Sequence, residues 1–241
     1  MDSTITKSHR HPRWQGAAIV FAIVFPSIGT WLYFVTFAGH NAVGVVYAVT
    51  KIVQFGFPLA WVLAVERRRI RIHRPDGRGM FVGVAFGTVV LVGMLALYHG
   101  VLSDGSYARQ GHEALIAKLK DFGATTPLGF LGLAVFYSLL HSFMEEYYWR
   151  WFVFGRLREF TGTWMAIVVS SLGFMAHHVI VVSRYTDDYL AIGFLSLSVA
   201  VGGAVWAWLY QRYESLYAPW VSHMFVDSGI MLVGYDLAFH G

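Results

Sequence analysis

Cysteine is absent from this sequence of 241 residues, and charged residues are scarce. Without cysteine, the chain forms no disulfide and offers no thiolate to a metal ion. Asp, Glu, Lys and Arg make up 13% of the residues, hydrophobic residues make up 56%, and the mean hydropathy is +0.53. Soluble globular domains contain about 25% charged residues. The composition therefore excludes an ordinary soluble domain and predicts a polytopic membrane protein.

The formal net charge of +4 does not indicate a nucleic-acid partner. Most of the arginines occur in short clusters between apolar runs, a pattern that is typical of the loops of membrane proteins. We therefore expect the lipid bilayer as the surroundings of the chain and no nucleic acid as a partner.

Seven apolar runs are each long enough to cross a bilayer as a helix, which takes about 20 residues. The predicted fold class is an all-α polytopic bundle of about seven transmembrane helices, forming one structural domain. The fourth run is the longest and should project beyond the bilayer. The runs cover approximately residues 14–37, 43–65, 79–98, 127–160, 164–183, 189–210 and 216–238.

Basic residues are distributed unequally between the two sides of this bundle. Six arginines lie between residues 67 and 78. Because basic loops are retained in the cytoplasm, this cluster predicts a cytoplasmic N-terminus and a C-terminus on the opposite side. The other basic residues expected in the cytoplasm are Lys7, Arg10, Arg13, Arg156, Arg158 and Arg212, whereas Arg109, Lys118, Lys120 and Arg184 fall opposite.

The segment from Leu102 to Thr126 is polar but carries an apolar stripe at helical spacing, which includes His112, Leu115 and Leu119. This pattern predicts an amphipathic helix. Two placements are open: the helix lies on the membrane surface, or it packs over the mouth of the bundle.

Gly79, Gly83 and Gly87 recur at four-residue intervals in the third run. Small residues at this spacing allow another helix to approach the backbone closely. We expect this stripe to serve helix packing, without a role in chemistry.

One lysine, Lys51, lies inside the second run. A charged side chain in the apolar layer is costly. Two readings are open: the ammonium group extends to the interface, which its position favours, or it serves a polar pocket.

Two adjacent carboxylates and an arginine interrupt the fourth run at Glu145, Glu146 and Arg150. Each ionised side chain at mid-bilayer costs roughly 2.5–3.5 kcal/mol on insertion scales, so a functional site is expected. Glu146 and Arg150 are four residues apart on one helix face and can form an ion pair. Glu145 lies about 100° round the helix and is free to face a cavity.

Histidines in the fifth and seventh runs can join this cluster. An antiparallel hairpin of the fourth and fifth runs brings Glu145 and His178 to similar depth, because they lie sixteen residues before and seventeen after Thr161. His223 and Asp227, four residues apart in the last run, can complete the ring.

Two more histidines lie beside these residues. His177 points about 100° away from His178, so we expect it to pack against other helices or to support a residue of the site. His141 is four residues before Glu145 and shares its helix face, so it can reach the same cavity.

These three clusters, Glu145-Glu146-x-x-x-Arg150, Phe174-x-x-x-His178 and His223-x-x-x-Asp227, resemble the three motifs of the CPBP family. This is the CAAX-protease and bacteriocin-processing family of intramembrane proteases. The resemblance covers roughly residues 127–237. It implies an abi-type protease core at residues 127–241. Residues 1–126, predicted to form three spans and a surface amphipathic helix, lie outside the resemblance.

The resemblance implies an endopeptidase that hydrolyses a peptide bond with a glutamate-activated water. It makes Glu145 the general base, gives water binding to His178, and gives oxyanion stabilisation to His223 and Asp227. An ionised aspartate cannot donate a hydrogen bond, so Asp227 would instead orient His223. The supporting pair is Glu146 and Arg150.

The resemblance also implies the surroundings of the reaction. No metal or other cofactor is expected, and the substrate is a membrane-associated peptide or protein. The expected location is the cytoplasmic membrane of a prokaryote, with several membrane passes. Prenylated CAAX proteins, leader peptides and C-terminal sorting tails are all possible substrates.

Other functions are compatible with the same residues. Glu145, His178, His223 and Asp227 are all potential Zn²⁺ ligands, although no His-Glu-x-x-His motif occurs. A non-catalytic protein that binds a membrane peptide, as in bacteriocin immunity, is a further alternative. A transporter should show repeat symmetry or paired broken helices, whereas the polar residues here cluster in three runs.

Overall fold

The computed structural model describes residues 12–70, 73–103 and 106–240, and within these ranges the chain is helical without a β-strand. Lys7, Arg10 and Arg71, which entered the charge argument, lie outside the described residues. The helices are α1 (Trp14–Thr36), α2 (Val43–Glu66), α3 (Gly77–Leu102), α4 (Ser106–Asp121), α5 (Pro127–Thr161), α6 (Thr163–Val182), α7 (Tyr189–Tyr213) and α8 (Tyr217–Phe239).

Six of the described helices, α1, α2, α3, α5, α6 and α7, are long and apolar enough to cross a membrane. The protein is therefore an all-α, multi-pass membrane protein, as the composition predicts. The seventh predicted span is present as the helix α8, but it is not among these six. Its polar side chains, His223, Asp227 and Asp236 among them, lower its hydropathy. α8 packs against α3, α5 and α7.

The outward faces of the helices are apolar. Leu128, Trp164 and Leu190 expose more than three quarters of their surface to the surroundings. In contrast, Glu146 and Arg150 are completely buried. Apolar side chains outside and charged side chains inside are the reverse of the arrangement in a soluble protein. This arrangement fits helices that contact lipid on the outside and enclose a polar site.

Side-chain caps and a glycine set several helix ends. Thr126 Oγ1 accepts a hydrogen bond from the backbone N–H of Gly129, and Pro127 follows as the first residue of α5, where its missing N–H costs nothing. Asp76 and Asp188 cap α3 and α7 in the same way. Gly162 has φ +78°, a conformation that glycine adopts easily, and it ends α5 where the sequence predicts a break.

Two stretches of α5 are π-helical, Phe136–His141 and Tyr147–Phe154. They flank the short α-helical segment Ser142–Glu146, which carries both carboxylates. π-helical turns occur frequently at functional sites because they change the direction of side chains along a helix. The sequence did not predict them.

The glycine stripe packs α3 closely against α8, as its spacing predicts. A Cβ atom at Gly83 would overlap the carbonyl oxygen of Ala218. A Cβ at Gly87 would lie 2.8 Å from the carbonyl oxygen of Ser222 and 2.8 Å from the Cβ of Phe225. Since Ser222 directly precedes His223, the stripe also sets the position of the polar cluster on α8.

The amphipathic helix α4 packs across one end of the bundle. Leu119 is buried against Ala124 and Phe130, and His112 Nδ1 donates a hydrogen bond to the carbonyl oxygen of Leu237, at 2.6 Å. Of the two placements expected, these contacts match the helix packed over the bundle. The division of the chain at residues 126 and 127 stays a prediction.

An ion-pair cluster joins the ends of α2 and α5 at the arginine-rich side. Arg156 donates two hydrogen bonds of 2.8 Å to the buried carboxylate of Glu66. Arg68 donates to Glu159 at 2.9 Å. Two of the basic residues that predicted orientation therefore also hold two helices together.

Lys51 lies among aromatic rings of α1 and α2, and its depth relative to the membrane interface stays a prediction. Its Nζ lies 5.4 Å from the ring centroid of Phe55 and 5.9 Å from those of Tyr33 and Tyr47. It donates a hydrogen bond to Gln54 Oε1, at 3.2 Å. Aromatic faces attract cations, and these rings hold the ammonium group inside the bundle.

Candidate active site

The carboxylate of Glu145 lies in the middle of three imidazole rings. Its Oε1 is 3.7 Å from His177 Nε2 and 3.9 Å from His141 Nε2, and its Oε2 is 3.8 Å from His223 Nε2. The side chain is almost fully buried. All three nitrogens lie beyond direct hydrogen-bond distance, and such separations are often bridged by water.

Glu146 occupies a different environment one residue along the helix. Its Oε2 lies 3.0 Å from Arg150 Nε, and its Oε1 accepts a hydrogen bond of 2.8 Å from His223 Nδ1. The ion pair that the four-residue spacing predicts is therefore present. The contact with His223 was not predicted, and it links α5 to α8.

The imidazole of His223 is held on several sides. Its ring stacks on Trp206 with centroids 4.0 Å apart and an interplanar angle of 17°. Trp206 Nε1 in turn donates to Ser222 Oγ, at 3.0 Å. Asp227 Oδ1 lies 3.5 Å from His223 Nε2. Because Nδ1 donates to Glu146, Nε2 is the ring nitrogen that faces Glu145 and Asp227.

The guanidinium group of Arg150 is enclosed by aromatic rings. It lies 5.0 Å from the ring centroid of Phe174 and 5.5 Å from that of Trp206. Such contacts offset part of the cost of burying a cation. Arg150 therefore contacts Glu146, Phe174 and Trp206. Its pairing with Glu146 is the ion pair that the sequence predicts.

The two adjacent histidines of α6 both lie near the site. His177, expected to pack or to support a residue of the site, lies 3.7 Å from Glu145, and both of its buried ring nitrogens lack a hydrogen-bond partner among the described residues. His178 Nδ1 donates to the carbonyl oxygen of Phe174, at 2.8 Å. The two rings are neighbours, with centroids 4.2 Å apart.

The rotation of α6 has a physical cause in the packing of its aromatic neighbours. Trp149 stacks on His177 with an interplanar angle of 4° and also packs against Phe174. These contacts turn His177 toward α5. His141 reaches the site, as its spacing from Glu145 predicts, whereas no sequence pattern indicated that Trp206 contacts the site.

The described residues contain no group of three or more His, Cys, Asp or Glu side chains arranged to hold a metal ion. The site therefore consists, in the part of the chain that the structure describes, of carboxylates, imidazoles and one guanidinium group.

Residues 127–229 match the family model of Rce1-like proteins, described as type II CAAX prenyl endopeptidases. By this match, the segment is similar to Rce1-like proteins. The match includes α5, α6, α7 and the part of α8 that carries His223 and Asp227, and it confirms the predicted relationship to the CPBP proteases. At the level of family, the match supports an intramembrane CAAX-type endopeptidase. Compared with curated proteins and with solved structures, the chain has no significant match.

Proposed function

We propose that the protein is an intramembrane endopeptidase in which Glu145 acts as the general base toward a water molecule. One observation carries this proposal: a buried carboxylate within the Rce1-like segment faces three imidazole nitrogens at 3.7–3.9 Å, each too far for a direct hydrogen bond. The adjacent carboxylate of Glu146 is not available as the base, because it contacts Arg150 and accepts a hydrogen bond from His223.

The first step is attack by water on the scissile carbonyl. A water held between Glu145 and His177 gives its proton to the carboxylate as its oxygen bonds to the carbonyl carbon. His178 lines the same side of the site. Because its Nδ1 donates to a backbone carbonyl, its Nε2 is the remaining acceptor for water.

The tetrahedral intermediate carries a negative charge on the former carbonyl oxygen. His223 supports this oxygen when its Nε2 is protonated, since Nδ1 is already committed to Glu146. Asp227, whose Oδ1 lies 3.5 Å from the same nitrogen, favours the protonated ring and orients it, because an ionised carboxylate cannot itself donate to an oxyanion. Collapse of the intermediate breaks the C–N bond, and Glu145 passes its proton to the leaving amine.

The substrate follows from the membrane position of the site. All of the catalytic side chains lie within helices of a membrane bundle, so the peptide must reach them from the bilayer or its surface. We propose a membrane-associated protein as substrate, and the description of the family makes a prenylated CAAX peptide the first to try.

Glu145→Gln tests the assignment of the base. The amide keeps the shape of the side chain but cannot accept the proton, so turnover of an S-farnesylated peptide ending in Cys-Ala-Ala-Ser should fall on the order of 10²–10⁴-fold. Glu113→Gln, which changes an exposed carboxylate of α4, is the matched control and should retain turnover.

Both variants should also keep the thermal unfolding temperature of the wild-type protein. Retained hydrolysis in folded Glu145→Gln would contradict the proposal. A protein that only binds a membrane peptide would keep its binding and show no hydrolysis in any of the three forms.

A further inference from the structure

Lys51 is a cation inside the bundle whose surroundings differ from those of the buried arginines. Arg150 and Arg156 each face a carboxylate, at 3.0 and 2.8 Å. Among the described residues, no carboxylate lies within 4.0 Å of Lys51, which contacts aromatic rings and one amide oxygen. Ionisable groups within membrane spans usually mark functional sites.

Gln54 adds a second donor beside Lys51. The side chain is 3% exposed, and its Oε1 accepts the hydrogen bond from the ammonium group. An ammonium group only donates, so Oε1 must face it and Nε2 must point elsewhere. Nε2 is buried and lacks a partner among the described residues. The pair therefore offers two sets of donors and no acceptor.

These donors lie one layer of rings away from the catalytic carboxylate. Phe55, next to Gln54 in the chain, packs edge-on against His141 with centroids 5.9 Å apart. On the other side, the Tyr47 hydroxyl lies 3.3 Å from that of Tyr137, whose ring packs against His141 at 4.9 Å. His141 is the imidazole that lies 3.9 Å from Glu145.

We propose that Lys51 and Gln54 bind the C-terminal carboxylate of the peptide substrate. A carboxylate only accepts hydrogen bonds, and it needs a cation and further donors to leave water. This inference rests on the proposed function and narrows its substrates to proteins cut a few residues before their free C-terminus. Leader peptides, which are cut far from the C-terminus, do not fit such a site.

The charge at the nearest end of the bundle is consistent with an anionic chain end. A cavity of about 710 Å³ opens between the ends of α1 and α2, α4 and the loop after α6. Its lining includes Lys118, Lys120 and Arg184, three of the four basic residues that the charge argument places on that side, and one carboxylate, Asp121, which pairs with Lys118 at 2.9 Å. Lys118 also donates to the carbonyl oxygen of Tyr33, whose ring contacts Lys51.

The test uses the farnesylated Cys-Ala-Ala-Ser peptide as the free acid and as its C-terminal amide. Wild-type protein should cleave the acid with a kcat/KM about 10-fold to 100-fold above that of the amide, the usual range for a charge-assisted hydrogen bond. Lys51→Met should remove this preference through a raised KM for the acid alone.

Two further variants separate the subsite from general effects. Gln54→Glu places a carboxylate beside Lys51 and should also remove the preference for the free acid over the amide. Arg74→Met removes an exposed positive charge from the arginine-rich loop at the opposite end of the bundle and should keep the preference. Because the readout is the ratio of acid to amide, a general loss of stability leaves it unchanged.

The outcomes separate this inference from the proposed function. Equal cleavage of acid and amide by wild-type protein, or a preference that survives Lys51→Met, overturns the subsite and leaves the protease standing. If neither form is cleaved, the proposed function fails for this peptide. Binding of both labelled forms to Glu145→Gln then decides: tighter binding of the acid supports the subsite, and equal or absent binding overturns it.

Discussion

At the scale of single residues, the neighbouring side chains of Glu145 and Glu146 have different surroundings. Glu146 is neutralised by Arg150 and tied to His223, whereas Glu145 faces imidazoles without a direct hydrogen bond. The sequence predicted this division, because residues four apart share a helix face and adjacent residues do not. Glu146 also has a contact that the sequence did not predict. Its carboxylate, and not that of Asp227, accepts the hydrogen bond from Nδ1 of His223.

Arg150→Met should destabilise the protein strongly. Both members of the Glu146–Arg150 pair are fully buried, and removing one member of such a pair costs about 3–5 kcal/mol. The measurement is the thermal unfolding temperature of purified protein in one detergent. The double variant Glu146→Gln with Arg150→Met removes both charges and should recover part of the loss. An unchanged unfolding temperature in Arg150→Met would show that the ion pair is dispensable.

The direction of individual side chains was the least predictable feature from sequence. His177 and His178 are adjacent, and only the packing of Trp149 and Phe174 decides which of them turns toward Glu145. Lys51 likewise depends on rings from two helices. Such rotations follow from contacts between distant parts of the chain, which spacing within one helix does not encode.

At the scale of helices, hydropathy predicted the spans closely. α5 begins at Pro127 and ends beside Gly162, as the sequence indicates. The π-helical stretches escaped prediction because their residues, such as those of Tyr147–Phe154, are as apolar and as helical in pattern as an ordinary span. α8 shows the opposite effect: its polar side chains reduce the apolar signal of a helix that packs inside the bundle.

Gly87→Ala should disturb the contact between α3 and α8. The added Cβ would lie 2.8 Å from the carbonyl oxygen of Ser222, so the helices must separate, and overpacking of this kind costs about 1–3 kcal/mol. Gly93→Ala is the matched control in the same helix, because nothing lies within 4 Å of its Cβ. Equal unfolding temperatures for the two variants would rule out this close approach as a determinant of stability.

At the scale of the whole molecule, the charge distribution predicts which side faces the cytoplasm. Arg69 and Asn41 are exposed beyond opposite ends of α2. Since the chain has no native cysteine, Arg69→Cys and Asn41→Cys can be labelled one at a time with an impermeant maleimide. In intact cells only Asn41→Cys should react from outside. Labelling of Arg69→Cys alone would reverse the orientation. The prokaryotic location stays a prediction from the resemblance.

The central claim, hydrolysis by a glutamate-activated water, is tested most directly by turnover of purified protein after exhaustive chelation, with total metal measured on the same sample. A carboxylate that acts as general base needs no metal ion, so the account predicts unchanged hydrolysis of the farnesylated peptide at metal contents far below one ion per chain. Loss of activity with the metal, followed by recovery with stoichiometric Zn²⁺, would contradict the account and make Glu145 a zinc ligand.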